Sequence, residues 1–430
     1  MNKTLFFYFL NIYSVILWTS FSVPTLLFPT LATSRFGDNY YTSIVFSSFA
    51  IGCFPASLLS GKLMRFSHKD KLLVVTNILC SISRILFGLT DYIENEYFFF
   101  IFALGCRFLT GLCEGLLTPI YYSCACDLFP DEIAEKIGIL ELYANIGIIL
   151  GGPMATLFYE TCGYFAVFAI FGFSNLIFGT LIIICFLKTD EIPVFKQEEK
   201  QSLSIKKALF SSKDLLLTFF YGFFYWFPNF AILPSYQNYM STLTSSLYVS
   251  AFIYVLKFVG FIIGIIFLKM FNKTRIYEQK MMVFFGIIGI FGLLFYGPEP
   301  AFGITNNTTK LILIGISFTI VAMAVQIIFL ILCQILIDEL LDIFPGEKKL
   351  CADFANGLFI CLWSIDELFG PLVGGALTGY FGYDRSATLL ALITFIYFVF
   401  YWLFIGNKKS YHNLNEEKEV TDNVKKEDIT

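Results

Sequence analysis

The sequence predicts an all-α membrane protein with twelve transmembrane helices in two six-helix bundles. Three observations predict it: apolar runs of spanning length, a lopsided distribution of positive charge, and one glycine-proline segment that occurs twice. Hydrophobic residues make up 57% of the 430 and charged residues 14%, more apolar surface than a single soluble core can hide. Runs near 20 residues, enough to cross roughly 30 Å of hydrocarbon as helix, recur along almost the whole chain.

The first span, 5–33, has an apolar region too long for a signal peptide and no small-residue cleavage site after it, so it is read as retained. Spans 42–64 and 71–92 flank the basic loop "GKLMRFSHKDK", and the second of them carries Arg84. Span 97–127 holds Arg107 and Glu114, and spans 138–160 and 164–187 complete a first bundle over 1–187. The longest polar interior stretch, 188–213, is read as a cytoplasmic linker. The second bundle, 214–406, opens with span 214–236 and its aromatic run "FFYGFFYWFPNF", then 247–270 with Lys257 and 279–297. The outer loop "GPEPAFGITNNTTK" carries N-x-T sequons at Asn306 and Asn307; Asn2 and Asn272 match the pattern too, but in segments expected to be cytoplasmic. Spans 309–338, with Gln326, 350–380, with Asp366 and Glu367, and 385–406 close the bundle, leaving a polar tail, 407–430, whose composition is that of a disordered segment.

Cytoplasmic loops attract Lys and Arg. With the N-terminus cytoplasmic, most of the 29 Lys and Arg fall on that side, and only Arg35, Lys310 and Arg385 fall on the other. The split predicts an even number of crossings and both termini in the cytoplasm, while plasma membrane and organelle membrane stay open as locations. A net charge of -4 carries no nucleic-acid footprint. The 11 cysteines are scattered, and Cys124-x-Cys126 lacks the spacing and partners of a metal site. The two histidines, His68 and His412, both fall in cytoplasmic segments. With no nucleotide loop, metal constellation or nucleophile set, neither an enzyme nor a bound cofactor is expected, and any work must be driven by an ion gradient. The expected partners are lipid, a small organic solute and protons, with the chain acting as a monomer.

"NIGIILGGPMATLFYETCGY", from Asn145 to Tyr164, and "ELFGPLVGGALTGYFGY", from Glu367 to Tyr383, occupy the fifth and eleventh spans, the same place in each half. Glycine lets helix backbones approach closely, and proline interrupts the hydrogen-bond ladder. Matched placement of both marks an internal repeat. In a transporter built from parallel repeats, substrate binds near mid-membrane where the halves face each other.

These segments resemble the major facilitator superfamily, and the resemblance covers nearly all of residues 1–406. Gly147, Gly151, Gly152 and Pro153 resemble its antiporter motif, and Gly370, Pro371, Gly374 and Gly375 form the counterpart in the eleventh span. "RFLTGLCEG", with Arg107 and Gly111, is similar to the superfamily's arginine motif of the fourth helix. The combination of "GILELYANIGIILGGP", "LFYETCGYFAVFAIFG" and "LWSIDELFGPLVGG" looks most like the vesicular amine and polyamine transporters, proton-coupled exporters related to drug antiporters. That resemblance implies alternating access and proton-coupled antiport of an organic cation. The first span lacks the membrane aspartate of the monoamine branch, which brings the polyamine-type branch nearer.

An ionisable group inside a bilayer costs at least about 2.5–3.5 kcal/mol, so each one needs a reason. Arg84, Arg107, Glu114, Lys257, Asp366 and Glu367 balance by sign. Arg107 and Glu114, two helical turns apart, share a face. A carboxylate beside a cavity can take a proton or an organic cation but not both, which is the competition an antiporter needs. Asp366 and Glu114 are the candidates, with structural pairing to Lys257, Arg84 or Arg107 as the plain alternative, and adjacent Glu367 points about 100° away from Asp366. Lys257 supports a different reading, an organic-anion transporter or facilitator. Glu141, one turn inside the fifth span, suits a gating contact with the loops. Tyr225 and Trp226 could form part of a cation cage or belong to lipid-facing aromatic bulk, and Gln326 either lines a cavity or bonds between helices. A non-transporting receptor or scaffold on the same fold is the reading from another class.

Overall fold

Residues 3–37, 39–66, 69–129, 133–187, 213–270, 275–343 and 348–406 are described by a computed structural model. The linker (bar its last residue), the tail and both histidines lie outside them. The first six helices are α1 (Lys3–Phe36), α2 (Asn39–Phe66), α3 (Lys69–Gly88), α4 (Glu96–Leu128), α5 (Ile133–Cys162) and α6 (Tyr164–Leu187). Then follow α7 (Lys213–Ala231), α8 (Leu233–Leu243), α9 (Leu247–Met270), α10 (Arg275–Leu293), α11 (Asn307–Ile343), α12 (Lys348–Phe381) and α13 (Tyr383–Tyr401).

Among the described residues, 9 helices are long and apolar enough to cross a membrane, and the bent pair α7–α8 makes a tenth. The ninth expected span corresponds to α10, whose apolar stretch is Met281–Leu293, and the eleventh to α12, which carries the two adjacent acids. The helices are apolar on their outer faces as well as inside. Phe252, Ile177, Phe291 and Ile396 all point outward, which water would penalise and hydrocarbon does not.

The seventh span was expected as one helix over 214–236; it is two, meeting at 44°. Proline explains the break. Pro234 sits in the first turn of α8, where it has no N–H for the carbonyl of Phe230 and its ring would clash with that carbonyl in a continuous helix. The ladder ends with Ile232 N–H donating to Pro228 O at 3.3 Å and restarts with Ser235 N–H donating to Ile232 O at 3.2 Å.

Helix pairing repeats between the two parts of the chain. In the first, α1 packs on α5 and α6, α2 on α4, and α3 on α4 and α6. In the second, α7 packs on α12 and α13, α9 on α11, and α10 on α11 and α13. With α7 and α8 taken as one span, these are the same pairings of first with fifth and sixth, second with fourth, and third with fourth and sixth.

The glycines of the repeat show what the pattern is for. A β-carbon at Gly147 or Gly151 would strike the backbone of Val15 or Thr19 on α1, and one at Gly370 or Gly374 would strike Phe230 or Ala231 at the end of α7. Thr19 hydroxyl donates to Gly147 O at 3.0 Å across the first of these contacts. The second glycine of each pair looks toward the other half: Gly152 faces Ala251 of α9 beyond Leu26 of its own α1, and Gly375 faces Ser43 and Asn39 of α2. Each Gly-Gly pair therefore packs its helix within its own half and against the other half at once. The prolines do not match in register, since Pro153 follows its glycine pair and Pro371 precedes its own. The closing Gly-Tyr steps have a backbone cause: Gly163 and Gly382 end α5 and α12 at φ 84 and φ 80, a region that side chains other than glycine rarely adopt.

Candidate functional site

Four of the six intramembrane ionisable groups lie on α3, α4 and α12; α4 packs on α3 and on α2, and α2 in turn packs on α12. Arg84 on α3 donates from Nη2 to Glu114 Oε1 on α4 at 2.5 Å and to Leu17 O on α1 at 3.2 Å. Arg107, two turns before Glu114, lies instead with its guanidinium 4.8 Å from the Phe49 ring centre and 5.7 Å from that of Phe46. Glu367 is buried on α12, and its electrostatic neighbours are Arg107 and Glu114. The charge balance read from the sequence thus resolves into one direct ion pair, Arg84 with Glu114, with Arg107 and Glu367 buried in the same electrostatic neighbourhood and not in contact as an ion pair.

The remaining two groups have no opposite charge beside them among the described residues. Asp366 is fully buried, and neither carboxylate oxygen has a hydrogen-bond partner. Lys257 on α9 is also buried, its Nζ 6.0 Å from the Tyr254 ring centre and in no ion pair. Trp363, one turn before Asp366 on α12, packs against Trp226 with ring centres 4.8 Å apart and against Phe230 at 5.2 Å. Asp366 therefore sits one turn along from a box of aromatic rings.

Most of the aromatic run on α7 is turned inward rather than to lipid: Phe219, Tyr221, Tyr225, Trp226, Phe227 and Phe230 are buried, while Phe220 is exposed. The reason is that α7 is covered by α12, α13 and α11. Tyr225 donates its hydroxyl to Gly286 O of α10 at 2.5 Å, so it works as a strut between helices. Trp226 packs among Phe261, Phe329 and Trp363, its indole N–H without a partner. Gln326 is half-buried on α11 and lies over Gly264 of α9. Glu141 is exposed and accepts a hydrogen bond from Tyr122 of α4 at 2.5 Å, so its contact in this conformation is with the neighbouring helix.

One junction escaped sequence reading. Asn238 of α8 donates from Nδ2 to Thr33 Oγ1 at 2.6 Å, to Asn39 Oδ1 at 2.5 Å and to Pro29 O at 3.3 Å, joining α8 to α1 and α2. The expected seventh span stopped short of Asn238; a polar residue just past a mid-span proline was the available signal. This junction and the contacts of Gly152 and Gly375 all lie toward the end of the bundle where α1 ends and α2 begins.

Residues 10–342 match the model of the Major Facilitator Superfamily, and the chain belongs to that superfamily. It is similar to MFS-type transporter SLC18B1 of Rattus norvegicus, 22% identical over 391 residues that cover 88% of this chain and 81% of that one. In fold it resembles the nucleoside transporter NupG, with TM-score 0.68 and 16% identity over 94% of this chain and 99% of that one. It likewise resembles a bacterial homologue of the human lysosomal transporter Spinster in an inward-facing, occupied conformation, with TM-score 0.67 and 14% identity over 93% and 96%. The protein is a multi-pass secondary transporter of a small solute, and not an enzyme.

Proposed function

We propose that the chain exchanges protons for an organic cation, an amine or polyamine, by alternating access. Residues 1–187 and 214–406 are the two bundles that rock, 188–213 is a cytoplasmic linker, and both termini are cytoplasmic. On that orientation the Asn238 junction lies on the outer side, where it joins α8 to α1 and α2.

The observation that carries this reading is Asp366, a buried carboxylate with both oxygens unpartnered. Left charged and alone in a low-dielectric interior it would be costly, so it is a place for a proton to occupy. A site closed to bulk solvent excludes a large cargo but not a proton. The cargo ammonium groups are received by the aromatic faces of Trp226 and Trp363, with Gln326 on the neighbouring α11 and Tyr225 holding α7 against α10 behind them. Glu114 is held by Arg84 and becomes a cation or proton site only when that pair parts. Lys257 favours a second reading, since a buried ammonium with no carboxylate beside it would suit an organic anion.

Uptake into reconstituted vesicles under an imposed pH gradient separates these readings. Gradient-driven polyamine or amine uptake that is lost in Asp366→Asn supports cation antiport; persistence in Asp366→Asn removes that residue from the cycle. Anion uptake abolished by Lys257→Met supports the second reading, and folded protein that moves no solute class would mark a receptor or scaffold.

A further inference from the structure

The side-chain nitrogen of Asn238 lies within hydrogen-bonding distance of three oxygens: Pro29 O at 3.3 Å, Thr33 Oγ1 at 2.6 Å and Asn39 Oδ1 at 2.5 Å. An amide nitrogen carries two hydrogens, so the three acceptors outnumber its donors. The reversed amide would fit worse, because a fourth oxygen would then face these three with only the Thr33 hydroxyl proton among them. The group whose donors match the count is a primary ammonium, with three N–H bonds and no acceptor.

All three oxygens belong to one half of the molecule, Pro29 and Thr33 to α1 and Asn39 to α2. Thr33 donates its hydroxyl to Asn39 Oδ1 at 3.2 Å, which ties the α1 and α2 oxygens together without help from α8. Only the nitrogen comes from the other half. When α8 leaves α1 and α2, the oxygens therefore stay as a set and lose their occupant. Thr33 and Asn39 are half-buried, so a solute can reach them once Asn238 is gone. Arg35, the cation next along α1, has its guanidinium engaged by Asp91 O at 3.2 Å.

We propose that the oxygens of Pro29, Thr33 and Asn39 form a binding site for a primary ammonium group, filled by the Asn238 amide when the halves are joined and by an ammonium of the cargo when they part. This rests on the reading of the cargo as an amine. A ligand shifts a conformational equilibrium by its difference in affinity for the two states, and this one enters only where Asn238 has left. Cargo at the outer side therefore holds that side open.

The test uses the purified full chain in detergent, with tetramethylammonium chloride replaced stepwise by methylammonium chloride at constant ionic strength. Both ions carry one positive charge, and only methylammonium has N–H bonds. Asn238→Ala leaves the oxygens without their occupant. Its Tm should rise with methylammonium along a saturation curve, and by more than that of the unaltered protein, where the amide competes. The rise should vanish when Thr33→Val is added and persist when Asp366→Asn is added. Such a rise in a protein that moves no amine would sink the antiport reading and leave this site standing. A rise lost with Asp366→Asn would place the ammonium at the central carboxylate and overturn the present proposal alone. It is likewise overturned by a Tm indifferent to methylammonium, by an equal rise in the unaltered protein, or by a matching rise with potassium chloride. Should Asn238→Ala fail to fold, spin labels at the exposed Ser34 and Thr242 of the otherwise unaltered chain decide. Methylammonium should add a longer distance that tetramethylammonium does not, and an unchanged distribution would overturn the proposal.

Discussion

Gly374 of α12 rests against the backbone of Ala231 at the end of α7, so closely that a single β-carbon would collide with the Ala231 carbonyl oxygen. Backbone cannot step aside as a flexible side chain can. Gly374→Ala should therefore push α12 off α7 and cost about 1–3 kcal/mol, read as a lower Tm of the purified protein. Gly105 of α4 supplies the contrast, since nothing stands within 4 Å of its would-be β-carbon. Gly105→Ala should be neutral or stabilising by up to about 1 kcal/mol, because glycine is the poorer helix former.

That contrast also marks what sequence could and could not say. The spacing Gly147, Gly151, Gly152 against Gly370, Gly374, Gly375 is visible in the letters, and so is the repeat. Which helix each glycine meets is a property of packing, and the split of every pair between its own half and the other half emerges only in three dimensions. Spans and sign balance were legible because lipid imposes length and penalises charge. The partner of Glu114 was not: helical spacing puts it on the face of Arg107, yet the ion pair is with Arg84 on a neighbouring helix. The break at Pro234 was legible in principle and passed over, because hydropathy alone reads straight through a proline.

The Arg84–Glu114 pair predicts strong coupling between two substitutions. Removing one partner strands a buried charge, which costs about 3–5 kcal/mol, whereas replacing both with apolar residues of similar volume is often close to neutral. Glu114→Leu alone should lower Tm sharply, and Arg84→Met combined with Glu114→Leu should restore most of it. Additive losses in the double-mutant cycle would mean that the pair contributes nothing as a pair.

Orientation in the membrane has a direct chemical readout. Asn306 precedes α11 and Asn307 opens it, both exposed, with Asn306 Oδ1 accepting from Thr308 N–H at 2.8 Å. With the N-terminus cytoplasmic, this loop faces the lumen or exterior, so protein made in a eukaryotic cell should shift in mobility on N-glycosidase treatment. The shift should vanish when Asn306→Gln and Asn307→Gln are combined. Glycan on Asn272 instead would invert the arrangement and with it the side on which the Asn238 junction lies.

The Asn238 junction should set the balance between the two faces of the transport cycle. Its amide holds α8 to Pro29, Thr33 and Asn39, and Thr33 itself donates to Asn39 Oδ1 at 3.2 Å. Hydrogen bonds of this kind contribute about 0.5–1.5 kcal/mol each, and about 1.4 kcal/mol is tenfold in a two-state equilibrium. Asn238→Leu should thus shift the population by roughly tenfold toward the conformation in which α8 leaves α1 and α2. The contacts of Gly152 with Ala251 and Gly375 with Ser43 do not involve Asn238 and remain as pivots, so the variant should open rather than fall apart. Spin labels at Ser34 and Thr242, both exposed, give the measurement by pulsed dipolar spectroscopy. A longer distance appearing beside the original one supports the hinge, whereas an unchanged distribution would show that the junction is decoration on a closure held by the glycine contacts alone.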